Sequence, residues 1–307
     1  MKIRESTIPY LGYRTYVRIA GEPGGKTPLL LLHGGPGSTH NYFEVLDRLA
    51  EEDGRQIVTY DQLGCGGSYL DGHPELWNMG TWLGELIAVR EALGLTEVFI
   101  LGQSFGGMLL LEYVCRHPHP GVKGIVLAST LPSAKLWALE QARMLRQLPA
   151  QMQETVRRAV ESGDFASAEY RAAEDYYMLL HAYGTYGEGD PECLTRPARY
   201  GEECYRTAWG PNEFTPDGTL KDFDVTDELG GIDVPVLITS GGNDLCTPYI
   251  AKVMHDAIPG SRWELFRDCR HMSFAEDNDG YCSLLGEWMG RTEASVFPSP
   301  AGFSKES

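Results

Sequence analysis

The stretch Gly102-Gln103-Ser104-Phe105-Gly106-Gly107 constrains this chain more than any other. It follows the apolar run Val98-Phe99-Ile100-Leu101 and leads into Met108-Leu109-Leu110-Leu111-Glu112-Tyr113-Val114. It therefore reads as a strand that turns sharply into a helix, with a serine at the apex. Glycines two before and two after the serine permit the strained turn and a close approach of neighbouring backbone. Such a turn pushes the serine hydroxyl out of the sheet, where a histidine can take its proton. A Gly-x-Ser-x-Gly string alone is a weak signal, because both residues are common. The strand–turn–helix context gives it weight.

Short apolar runs alternate with helical stretches through the first part of the chain. Residues 16–19, 29–32, 56–60, 98–101 and 124–128 read as strands, and residues 42–51 and 79–93 as helices. That alternation implies an α/β fold, a mostly parallel central sheet covered by helices on both faces. The pattern changes after Pro132: residues 134–183 carry only helical signals, and a Gly/Pro-rich, aromatic passage follows to about residue 218. Strand–helix alternation resumes with a strand at 234–239, another at 262–266 and a last helix from about 278 to 289. The organisation is thus a core of residues 1–130 and 224–291, interrupted by a helical insertion at 131–223. A Ser/Pro tail, 292–307, has few large apolar groups and is expected to be loose.

At 307 residues the chain is long enough to bury the core of one large domain with an inserted subdomain. A net charge of −17 disfavours nucleic acid or an anionic membrane as partner, since both would be repelled. The N-terminus, Met1-Lys2-Ile3-Arg4-Glu5-Ser6, lacks the apolar run of a signal peptide, and no later run is long enough to span a bilayer. The seven cysteines are odd in number and contain no Cys-x-x-Cys pair, which argues against a disulfide framework. A reducing cytoplasm is the expected compartment.

A serine nucleophile needs a base, and the base needs an orienting acid. In sheets of this type the chain order is Ser, then Asp or Glu, then His, each at the carboxyl end of a strand. Asp244, in Ser240-Gly241-Gly242-Asn243-Asp244, follows the strand at 234–239. His271, in Cys269-Arg270-His271-Met272, follows the strand at 262–266. Asp224, Asp227 and Asp233 are rival acids, but they precede the 234–239 strand and belong at the opposite edge. His33-Gly34-Gly35-Pro36-Gly37 comes directly after residues 29–32. Its glycines let a backbone N–H approach a reacting carbonyl, so Gly35 and Phe105 are the expected donors to an oxyanion. His33 reads as a packed support for that loop. Residues 61–68 form a second glycine-rich loop, with no lysine in P-loop register, and read as a structural wall. The dispersed histidines, with His117 and His119 flanking Pro118, show no metal-ligand spacing.

With these pieces placed, the chain resembles the proline iminopeptidases, α/β-hydrolase serine peptidases that remove an N-terminal residue. Within that family it is similar to the subgroup of tricorn-interacting aminopeptidases and amino-acid amidases. The resemblance runs from about residue 12 to 288. It is carried by His33-Gly34-Gly35-Pro36-Gly37, Asp61-Gln62 with residues 64–68, residues 102–107, Trp209-Gly210-Pro211-Asn212-Glu213-Phe214 and His271-Met272. It implies a helical cap over the site, no cofactor, and a short peptide or amino-acid amide as substrate. It also implies a cap glutamate that binds the substrate's ammonium, matched by Glu213, and a nearby tyrosine, matched by Tyr205. Relatives often carry a second acid directly after the triad aspartate, where this chain has Leu245. Glu202 and Glu203 are the candidates to replace that charge. The reading is hydrolysis of the amide bond after an N-terminal proline or other small apolar residue. The alternatives are an esterase or lactonase with the same triad, which Leu245 favours, and a non-catalytic binding protein, which an intact Ser104, Asp244 and His271 oppose. Dehalogenase and epoxide hydrolase chemistry is disfavoured because the nucleophile position holds a serine instead of an aspartate. The oligomeric state is left open.

Overall fold

The computed structural model describes residues 1–296. Among them eight strands form one sheet: β1 (Ile3–Tyr10), β2 (Tyr13–Ala20), β3 (Leu29–Leu32), β4 (Ile57–Tyr60), β5 (Val98–Gln103), β6 (Val122–Ala128), β7 (Val236–Gly241) and β8 (Arg262–Phe266). Their order across the sheet is β1-β2-β4-β3-β5-β6-β7-β8. β1 and β2 form an antiparallel hairpin, and β2 joins β4 antiparallel. From β4 to β8 every pairing is parallel.

The helices are α1 (Arg48–Glu52), α2 (Met79–Ala92), α3 (Phe105–Arg116), α4 (Ala134–Leu145), α5 (Ala150–Ser162), α6 (Ala168–His181), α7 (Glu192–Thr195), α8 (Glu202–Ala208), α9 (Pro248–Ala257), α10 (Ser273–Glu276) and α11 (Asn278–Val296). The four leucines of β3 show why a parallel strand reads as an unbroken apolar run. Leu30 and Leu32 pack with Trp82 and Leu86 of α2, Leu110 of α3 and Ile250 of α9. Leu29 and Leu31 face Leu49 of α1 and Tyr281, Leu285 and Met289 of α11. Side chains alternate between faces, and both faces are covered, so no polar residue interrupts the strand. Helices α4 to α8 all lie between β6 and β7. Their base is closed by a bridge between Ser133 and Asp224, with the Ser133 hydroxyl donating to the Asp224 carboxylate at 2.8 Å. None of the described helices is long and apolar enough to cross a membrane.

Three elements differ from expectation. β1 has no counterpart in the sequence reading, because most of its residues are exposed and no apolar run marks it. Leu11 (φ 50°) and Gly12 (φ 83°) make the tight turn that pairs it with β2. The helix expected over 42–51 is a 3₁₀ turn at Asn41–Leu46 followed by α1. The break falls at Asp47, whose buried carboxylate accepts two hydrogen bonds from Arg18, at 3.0 and 2.6 Å. The tail does not begin at 292. Thr292 is buried, and Glu293 accepts hydrogen bonds from Arg55 (3.1 Å each) and the Thr27 N–H (3.0 Å), which holds α11 as far as Val296. The remainder, 297–307, lies outside the described residues.

Candidate active site

β5 ends at Gln103 and α3 begins at Phe105, so Ser104 alone makes the turn, with φ 54° and ψ −122°. That conformation is costly for a residue with a Cβ and persists only where its surroundings enforce it. Here the Ser104 N–H donates to the carbonyls of Ala128 and Ser129 (3.1 Å each), and the Ser104 carbonyl accepts the Thr130 hydroxyl at 2.7 Å. A Cβ on Gly106 would run into the Leu32 carbonyl, so only glycine lets α3 start this close to β3.

Asp244 sits in the loop after β7, with its side chain buried. One carboxylate oxygen accepts from His271 Nδ1 (2.7 Å) and the Cys246 N–H (2.8 Å). The other accepts from the Ser129 hydroxyl (2.6 Å) and the Gly241 N–H (3.0 Å). Four donors hold the carboxylate in one orientation and hold the imidazole with it. The His271 N–H donates to the His181 carbonyl at 3.1 Å, so the end of α6 also grips the histidine. Ser104 and His271 line a common cavity of about 600 Å³, together with Gly35, Tyr205, Glu213 and Leu245. No hydrogen bond joins the Ser104 and His271 side chains among the described residues. In serine hydrolases that bond often tightens only once substrate is bound.

The loop after β3 is braced from behind. The Gln62 N–H donates to His33 Nε2 (3.0 Å), and His33 Nδ1 bonds the Gly34 carbonyl (2.9 Å). With Nε2 accepting, Nδ1 carries the proton. Full burial pushes the His33 pKa down to about 4, so the ring is neutral at pH 7. The Gln62 side-chain amide also donates to the His33 carbonyl at 2.9 Å. The 61–68 loop therefore stands behind the glycine loop and does not line the cavity. Among the described residues the N–H groups of Gly35 and Phe105 make no hydrogen bond, and the Phe105 N–H belongs to the partner-free first turn of α3.

Glu213 is half-buried, and its carboxylate accepts the Tyr205 hydroxyl at 2.5 Å. Its backbone carbonyl takes the indole N–H groups of Trp137 (3.0 Å) and Trp209 (3.3 Å). Asn212 fixes the turn by accepting the N–H groups of Phe214 and Thr215, at 2.9 Å each. Burial raises the Glu213 pKa to about 7, against the opposing pull of Tyr205 and His271.

A family model described as the alpha/beta hydrolase fold matches residues 27–278. A proline iminopeptidase of Clostridium botulinum is 53% identical over 294 residues, covering 95% of this chain and 100% of that one. The chain belongs to the proline iminopeptidase family. Among solved structures, VinJ superposes with a TM-score of 0.86 at 32% identity, over 94% of this chain and 99% of the other. A proline iminopeptidase of Mycobacterium smegmatis gives 0.83 at 29% identity, over 96% and 100%.

Where a second acid was the expectation, Leu245 makes the cavity wall apolar directly beside Asp244. Neither Glu202 nor Glu203 replaces the missing charge. Glu203 is spent on the N–H groups of Gly72 (2.7 Å) and His73 (3.1 Å) and on the Trp77 indole (2.6 Å), and Glu202 is exposed on a neighbouring cleft. Asp224 closes the base of the insertion, Asp233 pairs with His119 at 3.1 Å, and Asp227 is exposed. Donor atoms of Asp244, Cys246 and His271 come within 4.8 Å of one another. The Asp244 carboxylate and the His271 ring are hydrogen-bonded to each other, and burial pushes the Cys246 thiol well up. Ser129 and His181 were missed from sequence. Ser129 had a usable signal, a polar residue placed directly after a buried parallel strand on the side where Ser104 emerges. His181 had none, because its contact is made by its backbone.

Proposed function

We propose that this chain is a cytoplasmic serine aminopeptidase that hydrolyses the amide bond after an N-terminal proline or other small apolar residue in short peptides or amino-acid amides. Ser104 attacks the carbonyl as His271 takes its proton, and the N–H groups of Gly35 and Phe105 meet the oxyanion. His271 then protonates the leaving amine, and water repeats the sequence on the acyl-enzyme. Asp244 fixes the imidazole and stabilises its charged form. The insertion at 131–223 acts as the cap, and it brings Glu213 to anchor the substrate's ammonium. The observation that carries the reading is the shared cavity: Ser104 and the Asp244-held His271 open onto a half-buried carboxylate with no ion-pair partner among the described residues.

Leu245 supports one other reading, an esterase or lactonase using the same three residues on amine-free substrates. Glu213→Gln separates the two, since it keeps the shape and removes the charge. Breaking one side of a desolvated ion pair costs about 2–5 kcal/mol. For the aminopeptidase, kcat/KM falls by that amount on a prolyl-arylamide and far less on an amine-free ester. Equal losses on both substrates, with a lower Tm, make Glu213 a structural anchor and leave the esterase.

A further inference from the structure

Tyr42 lines the same cavity as Ser104 and His271, and the reaction outlined above gives it no task. Its hydroxyl is used twice. It accepts the Gly34 N–H at 2.6 Å and donates to the side-chain oxygen of Gln103 at 2.8 Å. Gln103 directly precedes Ser104, and a Cβ on Gly34 would run into both residues. The phenol therefore bridges the glycine loop and the nucleophile turn where the two meet. Its ring is set by Phe43, with centroids 4.7 Å apart, and by stacking at 5.5 Å on Phe274 of α10, the helix that follows His271.

Gly34 joins two peptide units, and each is pinned. The unit before it is held at the His33 carbonyl by the Gln62 amide (2.9 Å) and at the Gly34 N–H by Tyr42. The unit after it is held at the Gly34 carbonyl by His33 Nδ1 (2.9 Å). A trans peptide is planar, with its C=O and N–H pointing in opposite directions, so fixing that carbonyl also aims the Gly35 N–H. The Gly35 N–H is the one polar group of these two units with no partner among the described residues. Consecutive glycines without such pins have wide conformational freedom, and an oxyanion donor that must first be oriented loses its effect. His33 and Gln62 stand behind the loop, and Tyr42 holds it from the cavity side.

We propose that Tyr42 is a positioning residue for the oxyanion hole. By accepting the Gly34 N–H it keeps the Gly35 N–H where charge develops on the substrate carbonyl, and by donating to Gln103 it keeps that point in register with Ser104. This rests on the reading of Gly35 as an oxyanion donor. The test is Tyr42→Phe in the full chain, which removes one oxygen and keeps the ring. Kinetics use a prolyl-arylamide and an amine-free ester. Binding uses prolinal, an aldehyde whose adduct with Ser104 carries an oxyanion, and prolinol, the matching alcohol, which forms no adduct. In Tyr42→Phe, kcat falls roughly 5- to 50-fold on both substrates with KM within about two-fold, because acylation and deacylation both pass through the oxyanion. The prolinal Ki rises by a similar factor, and that of prolinol is unchanged. Gln103→Met keeps the hydroxyl but removes its acceptor, and it moves the same readouts in the same direction by less. An unmoved kcat and prolinal-to-prolinol ratio in Tyr42→Phe, even beside a lower Tm, overturn the proposal and leave a packing role. A loss in Tyr42→Phe that Gln103→Met does not share means that the phenol donates to the oxyanion itself, which also overturns the positioning role. Should Tyr42→Phe fail to fold, Gln103→Met carries the test, and an unchanged ratio there overturns the proposal. Prolinal that binds the unsubstituted protein no tighter than prolinol, where the arylamide is turned over, overturns the oxyanion-hole reading itself. Turnover of the ester without the arylamide overturns the aminopeptidase reading, and kcat on the ester then still decides the role of Tyr42.

Discussion

The proposed triad makes Ser104, Asp244 and His271 depend on one another, and substitutions should show it. Ser104→Ala leaves the fold intact and lowers kcat by about 10⁴-fold or more, because the three residues act as a unit. A folded variant keeping a tenth of the activity would remove the nucleophile assignment. Asp244→Asn lowers kcat by about 10⁴-fold by favouring the wrong imidazole tautomer. Asp227→Asn, exposed and outside the cavity, changes little. The reverse ranking in steady-state kinetics would move the acid. Leu245 offers a gain-of-charge test, since it is buried and lines the cavity beside Asp244. Leu245→Glu raises the arylamide-to-ester ratio of kcat/KM if the new carboxylate stays ionised. An unchanged ratio means that burial keeps it protonated or that the position does not face the amine.

At the scale of elements, the active turn exists because β5, β3 and α3 come too close for side chains. Gly106 is where α3 meets the Leu32 carbonyl, and β3 leads directly into the glycine loop that carries Gly35. Gly106→Ala forces α3 and β3 apart, with about 1–3 kcal/mol of lost stability and a parallel fall in kcat. Gly286, within α11, is the control, because a Cβ there meets nothing within 4 Å. Gly286→Ala raises stability by about 0.5–1 kcal/mol, since alanine loses less backbone entropy in a helix. Urea unfolding of both variants checks the pair, and a destabilised Gly286→Ala would contradict the packing seen along α11. The elbow was legible because its glycines stand at positions set by close backbone approach. β1 was not legible, because an exposed edge strand has no apolar alternation to detect.

For the whole molecule, the titratable group to test outside the site is Glu85 on α2. It is fully buried and accepts the Thr15 hydroxyl and the Leu63 N–H, the latter at 2.9 and 3.0 Å. Burial raises its pKa to about 8, overriding those donors, so the folded protein keeps it protonated at neutral pH. A raised pKa contributes stability that is fully present below the ordinary glutamate range and is lost as pH rises toward about 8. Calorimetry should show Tm falling between pH 5 and 8 on this account, and Glu85→Gln should flatten the decline. An equal slope in the variant would show that other groups set the pH dependence. Glu85 also ties Leu63 to the body of the core, so the same change tests how firmly the loop behind His33 is held.

The sequence alone determined what depends on local pattern. Continuous apolar runs marked the parallel strands, the glycine-flanked serine marked the turn, and chain order put Asp244 and His271 after β7 and β8, as a parallel sheet requires. Only the tertiary structure decided which polar groups meet across long separations. Ser129 reaches Asp244 from 115 residues away, Gln62 braces His33 from 29, and Glu203 is drawn off to Trp77 from 126. Such contacts leave no periodicity in the chain, because they depend on where strands and helices far apart in sequence are packed.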